Sequence, residues 1–156
     1  HFWSFGDGAT ATGENPDNTF VTAGTYIVEY SATSSGPIIG TVEINVYDPP
    51  VPEFTADPTE GCAPLQVNLT NTTTIGAGIN VTGVSWVFGD GSSTNGETPS
   101  QWFTQPGSYF VSLEIQTDLA SCNATEVYND AIVVTPGPNA TFTNDLFPKS
   151  KNINFR

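Results

Sequence analysis

The chain has 156 residues, with 16 Asp and Glu against 3 Lys and Arg and one His, so it carries a formal charge of -13. That balance excludes a general nucleic-acid binder, which needs clustered Lys and Arg to displace phosphate counterions. Fifteen Gly, 12 Pro and 12% charged residues argue against helices, while a 12% aromatic share rules out a solvated linker and supplies apolar material for small cores.

In chain order, Trp3 and Phe5 alternate with polar residues ahead of a Gly6-Asp7-Gly8 turn, and Tyr26 and Val28 form the next apolar stripe. Val42, Ile44 and Val46 follow, and Asp48-Pro49-Pro50-Val51-Pro52 then breaks the pattern with a stiff, Pro-rich joint. Beyond the joint, Leu65, Val67 and Leu69 share one face, and Val84, Trp86 and Phe88 lead into Gly89-Asp90-Gly91. Tyr109, Val111, Leu113 and Ile115 make the longest stripe, and Ile132 and Val134 precede a second joint at Thr135-Pro136-Gly137-Pro138. Short period-2 runs separated by turn residues predict an all-β fold of antiparallel sandwiches.

The elements repeat. Phe2 to Tyr30 lies over Ser85 to Leu113 at a constant offset of 83, matching Trp3 with Trp86, Phe5 with Phe88, Gly6-Asp7-Gly8 with Gly89-Asp90-Gly91, Phe20 with Phe103 and Tyr26 with Tyr109. At an offset of 88, Phe54-Thr55 lies over Phe142-Thr143, and Ile44 and Val46 lie over Ile132 and Val134. The five-residue difference falls in a loop expected over Asp118 to Glu126. The repeat divides the chain into the C-terminal part of one module (residues 1–48), a complete module (51–135) and the start of a third (136–156).

No apolar stretch approaches the roughly 18 residues that span a bilayer, no signal-peptide pattern opens the chain, and Met is absent. The segment is therefore expected to be an interior piece of a longer, processed polypeptide, with no membrane insertion of its own. Cys62 and Cys122 are too few for an ordinary zinc site and are expected to form a disulfide in an oxidising compartment.

Trp86-Val87-Phe88-Gly89-Asp90-Gly91 followed by Gly107-Ser108-Tyr109-Phe110-Val111, repeated as Trp3-Ser4-Phe5-Gly6-Asp7-Gly8 and Gly24-Thr25-Tyr26-Ile27-Val28, resembles the PKD domain. That family is common in bacterial and archaeal surface proteins, and the resemblance implies tandem immunoglobulin-like sandwiches of seven or so strands. Some members bind calcium through acids near the turn. Here the first Asp of the family's W-D-F-G-D-G pattern is Ser4 in one copy and Val87 in the other, so no tight calcium site is expected at these turns, calcium is not favoured as a ligand and no cofactor is expected.

Asp7 and Asp90 are read as turn-stabilising residues, and Trp3, Trp86, Tyr26 and Tyr109 as core anchors, because both copies place them identically. Trp102 falls over Thr19 and lies outside the repeated core, which makes it the candidate contact for a ligand or a neighbouring module. With His1 as the only imidazole and no carboxylate pair in a motif, no catalytic residue is assigned and no enzymatic activity is expected. The resemblance implies a non-enzymatic, semi-rigid stalk of an extracellular, cell-surface or secreted protein, such as a large bacterial adhesin, including those exported by gliding bacteria. The alternative is an accessory or carbohydrate-binding region of a secreted polysaccharide- or protein-degrading enzyme. Expected partners are neighbouring PKD modules, surface polysaccharide or other cell-surface proteins.

Overall fold

Alternating apolar and polar residues give each strand one face to bury, and whether that face is covered distinguishes the two copies. The computed structural model describes residues 1–139. In the first copy the strands are β1 (Phe2–Ser4), β2 (Thr10–Thr12), β3 (Gly24–Ser31) and β4 (Ile38–Val46), forming one antiparallel sheet in the order β2-β1-β3-β4. The second copy comprises β5 (Phe54–Asp57), β6 (Glu60–Cys62), β7 (Leu65–Asn71), β8 (Val81–Phe88), β9 (Ser93–Asn95), β10 (Ser100–Phe103), β11 (Gly107–Thr117) and β12 (Ala124–Thr135). These make a sandwich of a three-stranded sheet, β10-β7-β5, and a five-stranded sheet, β6-β12-β11-β8-β9.

The predicted stripes become the core of this sandwich. Val67 and Leu69 from the small sheet meet Val84, Trp86, Phe88, Tyr109, Val111, Leu113, Ile115, Ile132 and Val134 from the large one. Phe103, on β10, packs edge-on to Phe88 at 5.9 Å between ring centroids and lies 4.7 Å from Tyr109, and Phe54 stands perpendicular to Trp86 at 5.4 Å. Burial of this apolar area is the main stabilising term, at roughly 25 cal/mol per Å² removed from water. Among the described residues the fold is antiparallel at every pairing but one, since β6 runs parallel to β12, with Cys62 opposite Thr135. This strand crosses from the edge of one sheet to the edge of the other after β5.

Two expectations change. The disulfide between Cys62 and Cys122 does not form: both thiols are free. Cys62 lies beside the last residue of β12, whereas Cys122 sits in a short 3-10 turn (Ala120–Cys122) just ahead of its first residue. The length of β12 therefore separates them, on the order of 30 Å, against the roughly 7 Å that a disulfide allows between Cα atoms. The loop expected from Asp118 to Glu126 is shorter than the repeat arithmetic implied, because β12 already pairs with β11 from Ala124. Part of the extra length is taken up inside β12, which slips in register opposite Tyr109 and Val111 of β11 and whose Asp130 adopts a φ of 51°. The expected third module, apart from residues 136–139, lies outside the described residues.

Candidate functional site

Three places stand out from the sandwich core: the duplicated Gly-Asp-Gly turns, the joint between the copies and the exposed Trp102.

The turns are built from backbone constraints. Ideal Cβ atoms at Gly6 and Gly89 would lie 2.8 Å from the Ile27 carbonyl oxygen and 2.9 Å from the Phe110 nitrogen, so the chain passes the neighbouring strand at a distance only glycine allows. Gly8 and Gly91 reverse the chain with φ of 94° and 84°. Between them, Asp7 accepts a hydrogen bond from the Ala9 amide at 2.8 Å and another from the Asn18 side chain at 2.9 Å. Asp90 does the same with the Ser92 amide at 2.9 Å and the Gln101 side chain at 3.1 Å, and also accepts from the Ser92 hydroxyl. The Asn18 and Ala9 hydrogen bonds hold the Asp7 carboxyl below its ordinary value. At Asp90 partial burial acts in the raising direction, yet the Ser92 and Gln101 hydrogen bonds outweigh it and the carboxyl is again lowered. Each carboxylate thus locks its own turn and ties it to the segment that follows. A cation at either turn would have to compete with these bonds for the same oxygens.

The aromatic residues of the motif are equally duplicated. Trp3 donates its indole N–H to the Gly13 carbonyl at 3.0 Å, and Trp86 to the Gly96 carbonyl at 2.8 Å. Tyr26 donates to the Thr22 carbonyl at 2.9 Å and Tyr109 to the Gln105 carbonyl at 2.6 Å, in each case closing the bend four residues upstream. These side chains are held by the fold. His1 is exposed and engages the hydroxyl of Tyr30.

The joint is packed, which the proline pattern alone could not reveal. Pro50 and Pro52 are both buried. Val51 exchanges two backbone hydrogen bonds with Thr74, at 2.9 and 3.2 Å, and the Thr72 amide donates to the Glu53 carbonyl at 2.8 Å. Tyr128 donates its hydroxyl to the Pro52 carbonyl at 2.5 Å. Burial, and then the charges of Glu126 and Glu53, push the Tyr128 phenol above its ordinary value, which keeps the donating proton in place. From the other side, the loop after Thr74 meets the end of the first copy. A Cβ at Gly78 would lie 2.5 Å from the Tyr47 ring, and one at Gly76 would overlap the Asp48 carbonyl. The glycines let this loop seat against residues 47–48, and Gly78 also has a φ of 86°.

Trp102 lies on the outer side of β10, opposite Gln66 of β7, and is 53% exposed. Cys62 is exposed and Cys122 half-buried. Among the described residues no three His, Cys, Asp or Glu side chains gather as a metal site, and no helix is long and apolar enough to cross a membrane.

Among solved structures, the chain is similar to the PKD1 domain of Vibrio anguillarum Epp, with 22% identity over 58% of this chain and 100% of that one and a TM-score of 0.43. It is also similar to the PKD1 domain of the Vibrio cholerae metalloprotease PrtV, with 24% identity over 56% of this chain and 99% of that one and a TM-score of 0.40. A solution structure from Methanosarcina mazei shares 26% identity over 79% of each chain, with a TM-score of 0.40. The sequence model of the PKD domain matches residues 1–44 and again residues 47–133, two copies that span most of the chain. With that match resting on the two strand sets and turns described above, the chain belongs to the PKD domain family.

Proposed function

We propose that this chain is a non-enzymatic segment of a longer extracellular protein, in which successive PKD modules form a semi-rigid spacer that holds an adhesive region away from the cell surface. The observation that carries this reading is the joint. Val51, Pro52 and Glu53 are bonded into the second copy while Tyr47 and Asp48 lie against its Gly76–Gly78 loop, so the angle between copies is held by contacts on both sides. PKD domains are in general non-catalytic modules, and two in tandem supply length without chemistry. A charge of -13 with no Lys or Arg before Lys149 supports the same role by keeping neighbouring chains apart.

A second reading, an accessory or carbohydrate-binding region of a secreted degradative enzyme, is favoured by the exposed Trp102. Many PKD copies without a catalytic domain in the full reading frame agree with the spacer; one or two copies beside a hydrolase agree with the accessory role. The physical test is small-angle scattering on several tandem modules including their joints. An elongated profile whose length grows in proportion to module number is expected. A compact profile, or one that fits freely jointed modules, contradicts the spacer.

A further inference from the structure

Residues 1–48 present an apolar face that no second sheet covers among the described residues. Trp3, Phe20 and Ile44 are only half-buried in it, and Val42 is 57% exposed. The second copy shows what such a face takes. There Phe54 of β5 stands edge-on between Trp86 and Tyr128, at 5.4 and 4.8 Å between ring centroids, and Val67 and Leu69 of β7 fill the rest. Register fixes the equivalent place in the first copy: Val28 faces Val42 as Val111 faces Tyr128, so that place lies between Trp3 and Val42. The backbone matches too. The Glu97 and Pro99 carbonyls accept from the Asn71 and Leu69 amides of β7, at 2.8 and 2.9 Å, while the matching Glu14 and Pro16 carbonyls have no backbone donor among the described residues.

The chain itself carries a segment of the missing pattern. At the offset of 88, residues 140–156, which lie outside the described residues, match 52–68 in sequence: Phe142-Thr143 over Phe54-Thr55, and Ile153 and Phe155 over Leu65 and Val67. Charge agrees. That stretch holds Lys149, Lys151 and Arg156, every Lys and Arg of the chain, whereas residues 1–48 have none, and Glu14 and Asp17 line the same groove as Trp3, Phe20 and Ile44. Its own first copy is out of reach. From Ala124 to Thr135, β12 carries the chain on the order of 35 Å away from the joint, while residues 135 to 142 span at most roughly 25 Å.

We propose that residues 140–156 of one chain complete the first copy of a second chain, laying Phe142 between Trp3 and Val42 and joining the chains head to tail. Strands add readily to a sheet whose partners are missing, and exchange of equivalent elements between copies is a low-cost route to association. A head-to-tail contact that does not close into a ring extends into a filament. The basic segment is attracted to the acidic module, while the remaining surfaces of both chains still repel side by side. Whatever precedes His1 in a longer polypeptide competes for the same face. The contact goes beyond the spacer reading without resting on it, because modules joined at Pro50 keep their length whether or not chains associate.

Sedimentation velocity of the whole chain over a range of concentrations tests the contact. Oligomers that grow with concentration are expected. Phe142→Asp removes the donor and Val42→Asp blocks the acceptor, and each should weaken association about a hundredfold. Mixed one to one, the two variants should form a dimer and nothing larger, because only one intact donor and one intact acceptor remain. Val42 is exposed, so Val42→Asp should melt at the wild-type temperature. If it melts early, a peptide of residues 140–156 added to the Phe142→Asp chain decides instead, with saturation expected at one peptide per chain. A monomer at every concentration, undiminished association of Phe142→Asp, no dimer from the mixture or, where the peptide decides, no binding of it overturns the proposal.

Discussion

The two copies share a motif but not an environment. In residues 51–135, β5, β7 and β10 cover the apolar face of the large sheet, and Trp86, Phe103 and Ile132 are fully buried. Residues 1–48 hold counterparts of β8, β9, β11 and β12 and none of β5 or β7, so the matching Trp3, Phe20 and Ile44 are only partly buried. Residues 17–20, which match β10, form no strand. Yet the Asp turn and the Trp and Tyr hydrogen bonds recur in both copies. The turns are therefore a local product of sequence, while burial is a product of the second sheet.

Core truncation should separate the copies most sharply. Trp86→Ala should cost about 3–5 kcal/mol and unfold the second copy, whereas Trp3→Ala should cost less than half as much, as read by denaturant titration. Equal losses would show that the second sheet contributes little to anchoring the Trp.

Turn substitutions should instead treat the copies alike. An added Cβ at Gly6 or Gly89 meets backbone atoms, so Gly6→Ala and Gly89→Ala should each cost about 2 kcal/mol in thermal melts. The mechanisms differ in one respect. Gly6 also has a φ of 80°, while Gly89 is not among the positive-φ glycines and is constrained by the approach of β11.

The complete copy was the most readable part of the sequence. Val67, Leu69, Leu113 and Ile115 each sit between two polar residues, and a sheet buried on one face leaves that imprint. What sequence could not convey was long-range geometry. The parallel pairing of β6 with β12 places Cys62 at the far end of β12 from Cys122, and no periodicity encodes which edge a three-residue strand joins. The joint was similarly opaque. Prolines indicate stiff backbone, but the hydrogen bonds that tie Val51 and Pro52 into the second copy come from Thr74 and Tyr128, 20 and more residues away. A signal was present in the Gly76-Ala77-Gly78 run, whose small residues permit close approach to Tyr47.

A smaller effect concerns pH. Asp90 is lowered in the folded state, so its contribution is fully present above the ordinary Asp value of about 3.9 and fades as pH falls through the lower folded-state value. Asp90→Ala should cost about 1 kcal/mol at neutral pH and flatten the acid limb of the stability curve below about pH 4. An acid limb unchanged in the variant would remove Asp90 from the account of the turn.

The account stands or falls on whether the joint is part of the second copy or a free hinge. Residue-resolved hydrogen exchange on the whole chain tests this at the amides of Val51, Thr72 and Thr74, which donate to Thr74, Glu53 and Val51. Protection approaching that of the amides in β7 is the predicted result. Exchange at the rate of unstructured backbone would show that the joint swings freely, and would contradict the semi-rigid spacer.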